Sequence, residues 1–371
     1  MRILMTTDTV GGVWTFTQEL ANGLFRSDCA VCLVSIGEPP SRARENWCDQ
    51  MKRQWGDRFR SETVNVPLEW AEDNDRAYRD AEPRLLQLAN EFGAELLHSN
   101  QFCFGALPLN IPNIVTAHSD VFSWAESCRH GELEAYNWLS RYSALVSKGL
   151  READAIVAPT RWMAASLSNN FALVHEPVVI PNGRSLPPAM GGGRKLQAVT
   201  AGRLWDEAKN IAMPAGVQFP FPLLVAGDTQ HGSTMMTTSL GNATILGSLS
   251  SDDLLTLFRE SALCICTSRY EPFGLAPLEA ALCGCAVLAY DIPSLREVWQ
   301  TGASYFYDAP SLNELLRQLC DNPTRLTDAQ QRSSAQARRF TAERMSGEYY
   351  GLFQRALVAA SIASEDTLYA S

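Results

Sequence analysis

The stretch Ala262–Asp291, ALCICTSRYEPFGLAPLEAALCGCAVLAYD, leaves little choice of fold. An apolar run rich in strand formers, Ala262–Thr267, precedes a loop holding Glu271, Phe273 and Gly274. A helical pattern follows from about Ala276 to Cys283, then a second apolar run, Ala286–Tyr290. Pro277 is best tolerated in a first helical turn, where its missing N–H costs nothing, so the helix is expected to begin near Ala276. Glu271 then lies on the loop before the helix and Glu279 in its first turn. Strand, loop, helix and strand in succession is the unit from which doubly wound α/β sheets are built.

A helix start offers N–H groups with no intrahelical acceptor and a partial positive charge, so the amides near Gly274 and Leu275 can hold an anion. A carboxylate has two acceptor oxygens and can take both hydroxyls of a ribose, or two neighbouring hydroxyls of a hexose. Glu279 and Glu271 flank the anion cradle on either side, which is what a nucleotide-sugar requires. The plain alternative is a solvated Glu271 and a helix-capping Glu279.

Glutamate, seven residues and a second glutamate, Glu271 and Glu279 within RYEPFGLAPLEA, resembles the signature of the retaining glycosyltransferases of family 4, group 1. The resemblance implies the GT-B fold: two doubly wound, parallel-sheet, Rossmann-like α/β domains facing a cleft. It implies that Glu271 meets the donor sugar, that Glu279 binds the ribose, and that the backbone of Phe273, Gly274 and Leu275 approaches sugar and diphosphate. In AGRLWDEAKN it implies Arg203 and Lys209 on the diphosphate, and it places Leu249 beside the nucleotide base. Arg offers a fork for phosphate oxygens and Lys a mobile charge. Surface pairs with Asp206 and Glu207 are the alternative for these two cations.

The length of 371 residues suggests two domains of comparable size. We expect an N-terminal acceptor-side domain over 1–181, a linker over 182–195 and a donor domain over 196–341, with a C-terminal helix within 342–371 packing back on the first. The stretch that holds the linker, Pro181–Lys195, PNGRSLPPAMGGGRK, is the clearest shift in composition in the chain. A net charge of −10 argues against a general nucleic-acid binder. No 18-residue apolar run or leader pattern is present, so a cytoplasmic protein is expected. Ten cysteines without zinc spacing read as buried reduced thiols, and neither metal nor cofactor is expected.

In the first half, Arg2–Thr7 is an expected strand, and Gly11 and Gly12 open the following helix, either as a phosphate-facing loop or as a plain turn. Ser41–Arg60 reads as a helix with clustered Arg and Lys and two Trp. It either packs those rings inward or docks to anionic lipid or an anionic acceptor, so a peripheral contact at the inner membrane face through 41–60 stays open. Thr63–Leu68 is an expected strand. Asp73, Asn74 and Asp75 have a metal-binding spacing but sit in a polar run that reads as a helix N-terminus.

Asn100, His118 and Asp120 follow expected strands at the edge where ligands bind in such sheets. The family has a His at the segment matching TAHSD, which implies that His118 contacts the donor hexose; a His satisfied in the core is the alternative. His98 reads as structural. Val121–Glu132 reads as a loop that would offer Trp124 for sugar stacking and Arg129 for an anion, or merely cover a core.

Together these readings predict a metal-independent hexosyltransferase, with retention implied by the resemblance, a nucleoside-diphosphate sugar as donor (a UDP-hexose first) and a saccharide, lipid-linked or small-molecule acceptor. A nucleotide-sugar epimerase or phosphorylase on the same fold, or a silent sugar-binding subunit, are the alternatives.

Overall fold

The computed structural model describes residues 1–8, 11–131, 133, 137–186, 193–231, 234–235, 241 and 243–369. Of the expected linker, 187–192 lie outside the described residues, as do Thr9 and Val10 of the first loop and Glu134–Tyr136. The chain forms two compact units. One comprises 1–123, 132–183 and 342–371, the other 124–131 and 184–341.

In the first unit, β1 (Arg2–Asp8), α1 (Val13–Arg26), β2 (Ala30–Ile36), α2 (Arg42–Trp55), β3 (Phe59–Val64), α3 (Asp75–Phe92), β4 (Leu96–Ser99) and β5 (Asn113–Thr116) alternate in turn. They are followed by α4 (Val121–Arg129), whose residues from Trp124 on group with the second unit, and by α5 (Asn137–Glu152), β6 (Ala155–Ala158), α6 (Arg161–Asn170) and β7 (Val178–Val179) of the first. The strands form one sheet in the order β3-β2-β1-β4-β5-β6-β7, and every pair is parallel. β2 is buried along its whole length, as a strand covered by helices on both faces must be.

The second unit repeats the plan with β8 (Lys195–Ala201), β9 (Leu223–Ala226), a short antiparallel pair β10 (Gln230–His231) and β11 (Thr234–Met235), and β12 (Thr244–Gly247). Then come α7 (Ser251–Glu260), β13 (Ser261–Cys266), α8 (Leu275–Leu282), β14 (Ala286–Tyr290), α9 (Pro293–Trp299), β15 (Ala303–Phe306), α10 (Ala309–Cys320) and α11 (Pro323–Ala337). Its parallel sheet runs β12-β9-β8-β13-β14-β15. The last helix, α12 (Ala342–Tyr369), belongs to the first unit. Met345, Tyr349 and Phe353, four residues apart, share a core with Phe16 and Leu20 of α1. The Tyr349 hydroxyl also lies 3.0 Å from Thr116 Oγ1.

Several local expectations are corrected. The helix expected to reach Arg60 stops at Trp55, because Gly56 turns into positive φ (54°), and the strand begins at Phe59 rather than Thr63. Charges disguised this strand: Arg60 and Glu62 stand on it as a pair at 2.9 Å. Trp47 meets Trp14 and Phe59 edge-on, and Trp55 stacks on Phe25 at 5.1 Å. Both rings therefore pack on the core, the first of the two expected alternatives. No helix among the described residues is long and apolar enough to cross a membrane. Val121–Arg129 is helix rather than loop, and Asp75 begins α3.

If α12 completes the core of the first unit, Phe353→Ala should destabilise the protein by about 3–5 kcal/mol through loss of a fully buried ring. Urea unfolding measures this, and a loss under about 1 kcal/mol would show that the helix is a detachable appendage.

Candidate functional site

In a doubly wound sheet the loops leaving two adjacent strands diverge where the strand order reverses, and a crevice opens there. In the second unit the reversal falls between β8 and β13, neighbours in the sheet. The loop after β8 carries Arg203 and Lys209, and the loop after β13 carries Glu271 to Gly274.

The two loops are stapled together. Arg269 N–H donates to the Ala208 carbonyl at 2.8 Å, and Thr267 Oγ1 donates to the Lys209 carbonyl at 2.7 Å. Across this seam Lys209 Nζ donates to Glu271 Oε2 at 2.5 Å, and Ser268 Oγ donates to the same oxygen at 3.0 Å. Gly202 lets the lysine stem pass: a Cβ there would sit 3.1 Å from Lys209 Cγ. Behind the pair lies a small recess lined by Thr200, Cys266 and Pro277. Burial pushes the Cys266 thiol up to about 11, so it is not a nucleophile at neutral pH.

Gly274 precedes α8 at φ 90°, in the left-handed region, where a Cβ would lie 3.0 Å from Pro277 Cγ and 3.2 Å from Glu271 Cγ. The first turn of α8 then presents the amides of Leu275 and Ala276 without intrahelical acceptors, while Pro277 has none to satisfy. The Phe273 ring is buried and meets Phe340 edge-on at 5.4 Å. Because α8 begins at Leu275, Glu279 stands just past the first turn, a correction to its expected place. Its Oε1 accepts from Arg184 Nε at 2.7 Å.

Arg203 bonds Asp206 Oδ2 at 2.6 Å, with its guanidinium 5.0 Å from the centre of the Trp205 ring. Arg129 grips Glu207 through two bonds, 2.8 and 3.0 Å, and lies over Trp124 at 5.1 Å. Leu249 is half-buried in the segment between β12 and α7.

In the first unit the order reverses between β1 and β4. Gly11, at φ 67°, and Gly12, the N-cap of α1, follow β1 and are exposed. Asn100 follows β4 and His118 follows β5. Asn100 Nδ2 donates to the Thr6 carbonyl at 2.6 Å, so its Oδ1 is the acceptor facing His118 Nε2 at 2.7 Å. That fixes the proton on Nε2 and makes Nδ1 the lone-pair nitrogen. The ring lies edge-on to Phe16, centroids 4.7 Å apart. Although part of its surface meets solvent, its enclosure lowers His118 to about 3, so the imidazole is neutral at neutral pH. His98, fully buried, bonds Thr116 Oγ1 at 2.9 Å and is likewise lowered to about 3 by burial. Asp120 caps α4, taking the amides of Phe122 and Ser123 at 2.9 and 3.0 Å, which gives it a structural task.

Sequence reasoning missed Arg184 and Ser268. Arg184 lies 95 residues from Glu279, so no local pattern could announce the pair.

Residues 10–186 match the model described as Glycosyltransferase Family 4, and residues 221–340 match Glycosyl transferases group 1. The chain belongs to the family 4, group 1 glycosyltransferases. A serotype-specific mannosyltransferase, WbdA of Escherichia coli, is 27% identical over 139 residues, which is 35% of this chain but 17% of that protein. The match thus spans less than a fifth of this relative's own length. Among solved structures, a sucrose-phosphate synthase from Thermosynechococcus elongatus superposes with TM-score 0.75 at 16% identity, covering 97% of this chain and all of the other. A variant of S. aureus TarM, solved with fondaparinux, α-GlcNAc-glycerol and UDP, gives TM-score 0.68 at 10% identity over 95% of this chain and 99% of that one. These likenesses establish the GT-B fold.

The two lowered histidines contribute to the acid behaviour of this glycosyltransferase. Each stays neutral when folded but takes a proton below about 6.5 when unfolded, so the stability tied to it is complete above that pH and is lost as pH falls toward about 3. Between pH 7.5 and 5 the loss should reach up to about 2 kcal/mol for a fully buried ring and less for the partly exposed His118. Urea midpoints should fall over this range, and less steeply in His118→Gln; equal slopes would contradict the assignment.

Proposed function

We propose that the protein moves a hexose from a nucleoside-diphosphate sugar to a hydroxyl acceptor, with retention at the anomeric carbon and without a metal ion. The observation that carries this reading is the Lys209–Glu271 pair at the β8–β13 reversal, next to the start of α8. It puts a cation, a hydroxyl-binding carboxylate and unpaired amides within one crevice. A relative named as a mannosyltransferase and a fold neighbour solved with UDP support a hexose carried on a nucleoside diphosphate.

In this mechanism the bond from the anomeric carbon to the diphosphate oxygen breaks, and negative charge grows on the leaving group. Arg203, Lys209 and the amides of Leu275 and Ala276 meet that charge, each charge-assisted contact contributing ~1.5–3 kcal/mol. Since the charge is larger in the transition state than in the bound donor, the contacts raise turnover more than affinity. The acceptor oxygen bonds the anomeric carbon from the same face, and its proton passes to the departing diphosphate. Glu271 orients the hexose through its hydroxyls, Glu279 takes the ribose and Leu249 borders the base. His118, neutral with Nδ1 as acceptor, takes a hydrogen bond from a hexose hydroxyl.

Arg203→Ala should lower kcat by about two to three orders of magnitude, the scale of losing one oxyanion donor. The assay is acceptor-dependent release of nucleoside diphosphate from UDP-glucose, GDP-mannose or ADP-glucose over a panel of saccharide acceptors. An unchanged kcat removes Arg203 from the mechanism, and release that needs inorganic phosphate instead of an acceptor would replace transfer with phosphorolysis.

A further inference from the structure

Arg184 is the first residue of the second unit, directly after Pro181, Asn182 and Gly183. It is held at both ends. Its N–H donates to the Phe340 carbonyl at 3.0 Å, and Phe340 in turn packs on Phe273 of the loop before α8. Its Nε donates to Glu279 Oε1 at 2.7 Å, with the two side chains only 15% and 12% exposed.

Stability alone is a weak reason for such a pair. Removing both charges from water costs about as much as their attraction returns, and apolar residues fill the same space as well. Orientation is a better one. A glutamate side chain has three rotatable bonds, and a hydroxyl pair on adjacent ring carbons is recognised only by a carboxylate in one plane. A planar guanidinium whose own backbone is anchored fixes that plane.

We propose that Arg184 is a positioning residue: it sets the carboxylate of Glu279 for two vicinal hydroxyls and thereby makes the site select ribose over 2′-deoxyribose. The inference rests on the reading of Glu279 as the ribose contact. Lysine does not replace arginine here, because its ammonium is a point charge that leaves the carboxylate free to rotate.

Titration calorimetry of the full chain with UDP, GDP and ADP, each beside its 2′-deoxy form, tests this. The unaltered protein should prefer one ribonucleotide over its deoxy form by about tenfold or more, the fold-change of one charge-assisted hydrogen bond. In Arg184→Ala the preference should shrink to about threefold or less while affinity for the deoxy form holds, and Arg184→Lys should fall between. If the alanine variant does not fold, Arg184→Gln is read in the same way. A variant that keeps the full preference overturns the proposal, as does one that loses both forms alike, since that marks a direct diphosphate contact or a structural prop. Should the unaltered protein bind no nucleotide, show no preference, or keep its preference in Glu279→Gln, the ribose reading of Glu279 fails first and the role of Arg184 with it.

Discussion

The candidate site depends on the seam between the loops that leave β8 and β13. Two backbone-anchored bonds, from Arg269 N–H and from Thr267 Oγ1, close the loops onto each other, and Lys209 reaches Glu271 across the join. Loops leaving a strand reversal would otherwise splay apart, and a lysine on one would have no fixed relation to a glutamate on the other. With the seam closed, the start of α8 is fixed as well, because Gly274 takes its left-handed conformation against the Glu271 side chain. A site assembled from such supported groups is preorganised, and preorganisation lets fixed dipoles act on a developing charge without reorganising at the moment of reaction.

The first unit uses the same construction for a different result. At its reversal, between β1 and β4, the polar groups are tied inward: Thr6 holds Asn100, Asn100 holds His118, and Thr116 joins His98 to Tyr349 of α12. Enclosure keeps His118 neutral, and its bond to Asn100 defines one tautomer. A neutral imidazole with a defined lone pair can accept a hydrogen bond from a hydroxyl.

Fold and site differed in how much of them could be read from sequence. The apolar strands were legible because parallel strands covered on both faces are nearly continuous hydrophobic runs; Ala286–Tyr290 coincides with expectation. Phe59–Val64 was not, since Arg60 and Glu62 pair with each other on its partly exposed face and look like helix surface in the sequence. The α4 helix was obscured by a polar segment whose N-terminal cap, Asp120, resembled a ligand-binding residue. Glu271 with Gly274, and Lys209, were legible as two separate local patterns, but the contact between them was not, because it depends on which strands are neighbours. Arg184 and Glu279 meet only through the fold, and nothing within a short window of sequence connects them.

Hydrogen exchange on the full chain, with and without UDP-glucose, GDP-mannose or ADP-glucose at saturating concentration, tests the central claim most directly. The account predicts that at least one of these donors slows exchange together in the loop after β8, through Lys209, and in the loop from Glu271 into the first turn of α8. Protection of neither loop by any of the three, or protection confined to other parts of the chain, would contradict it.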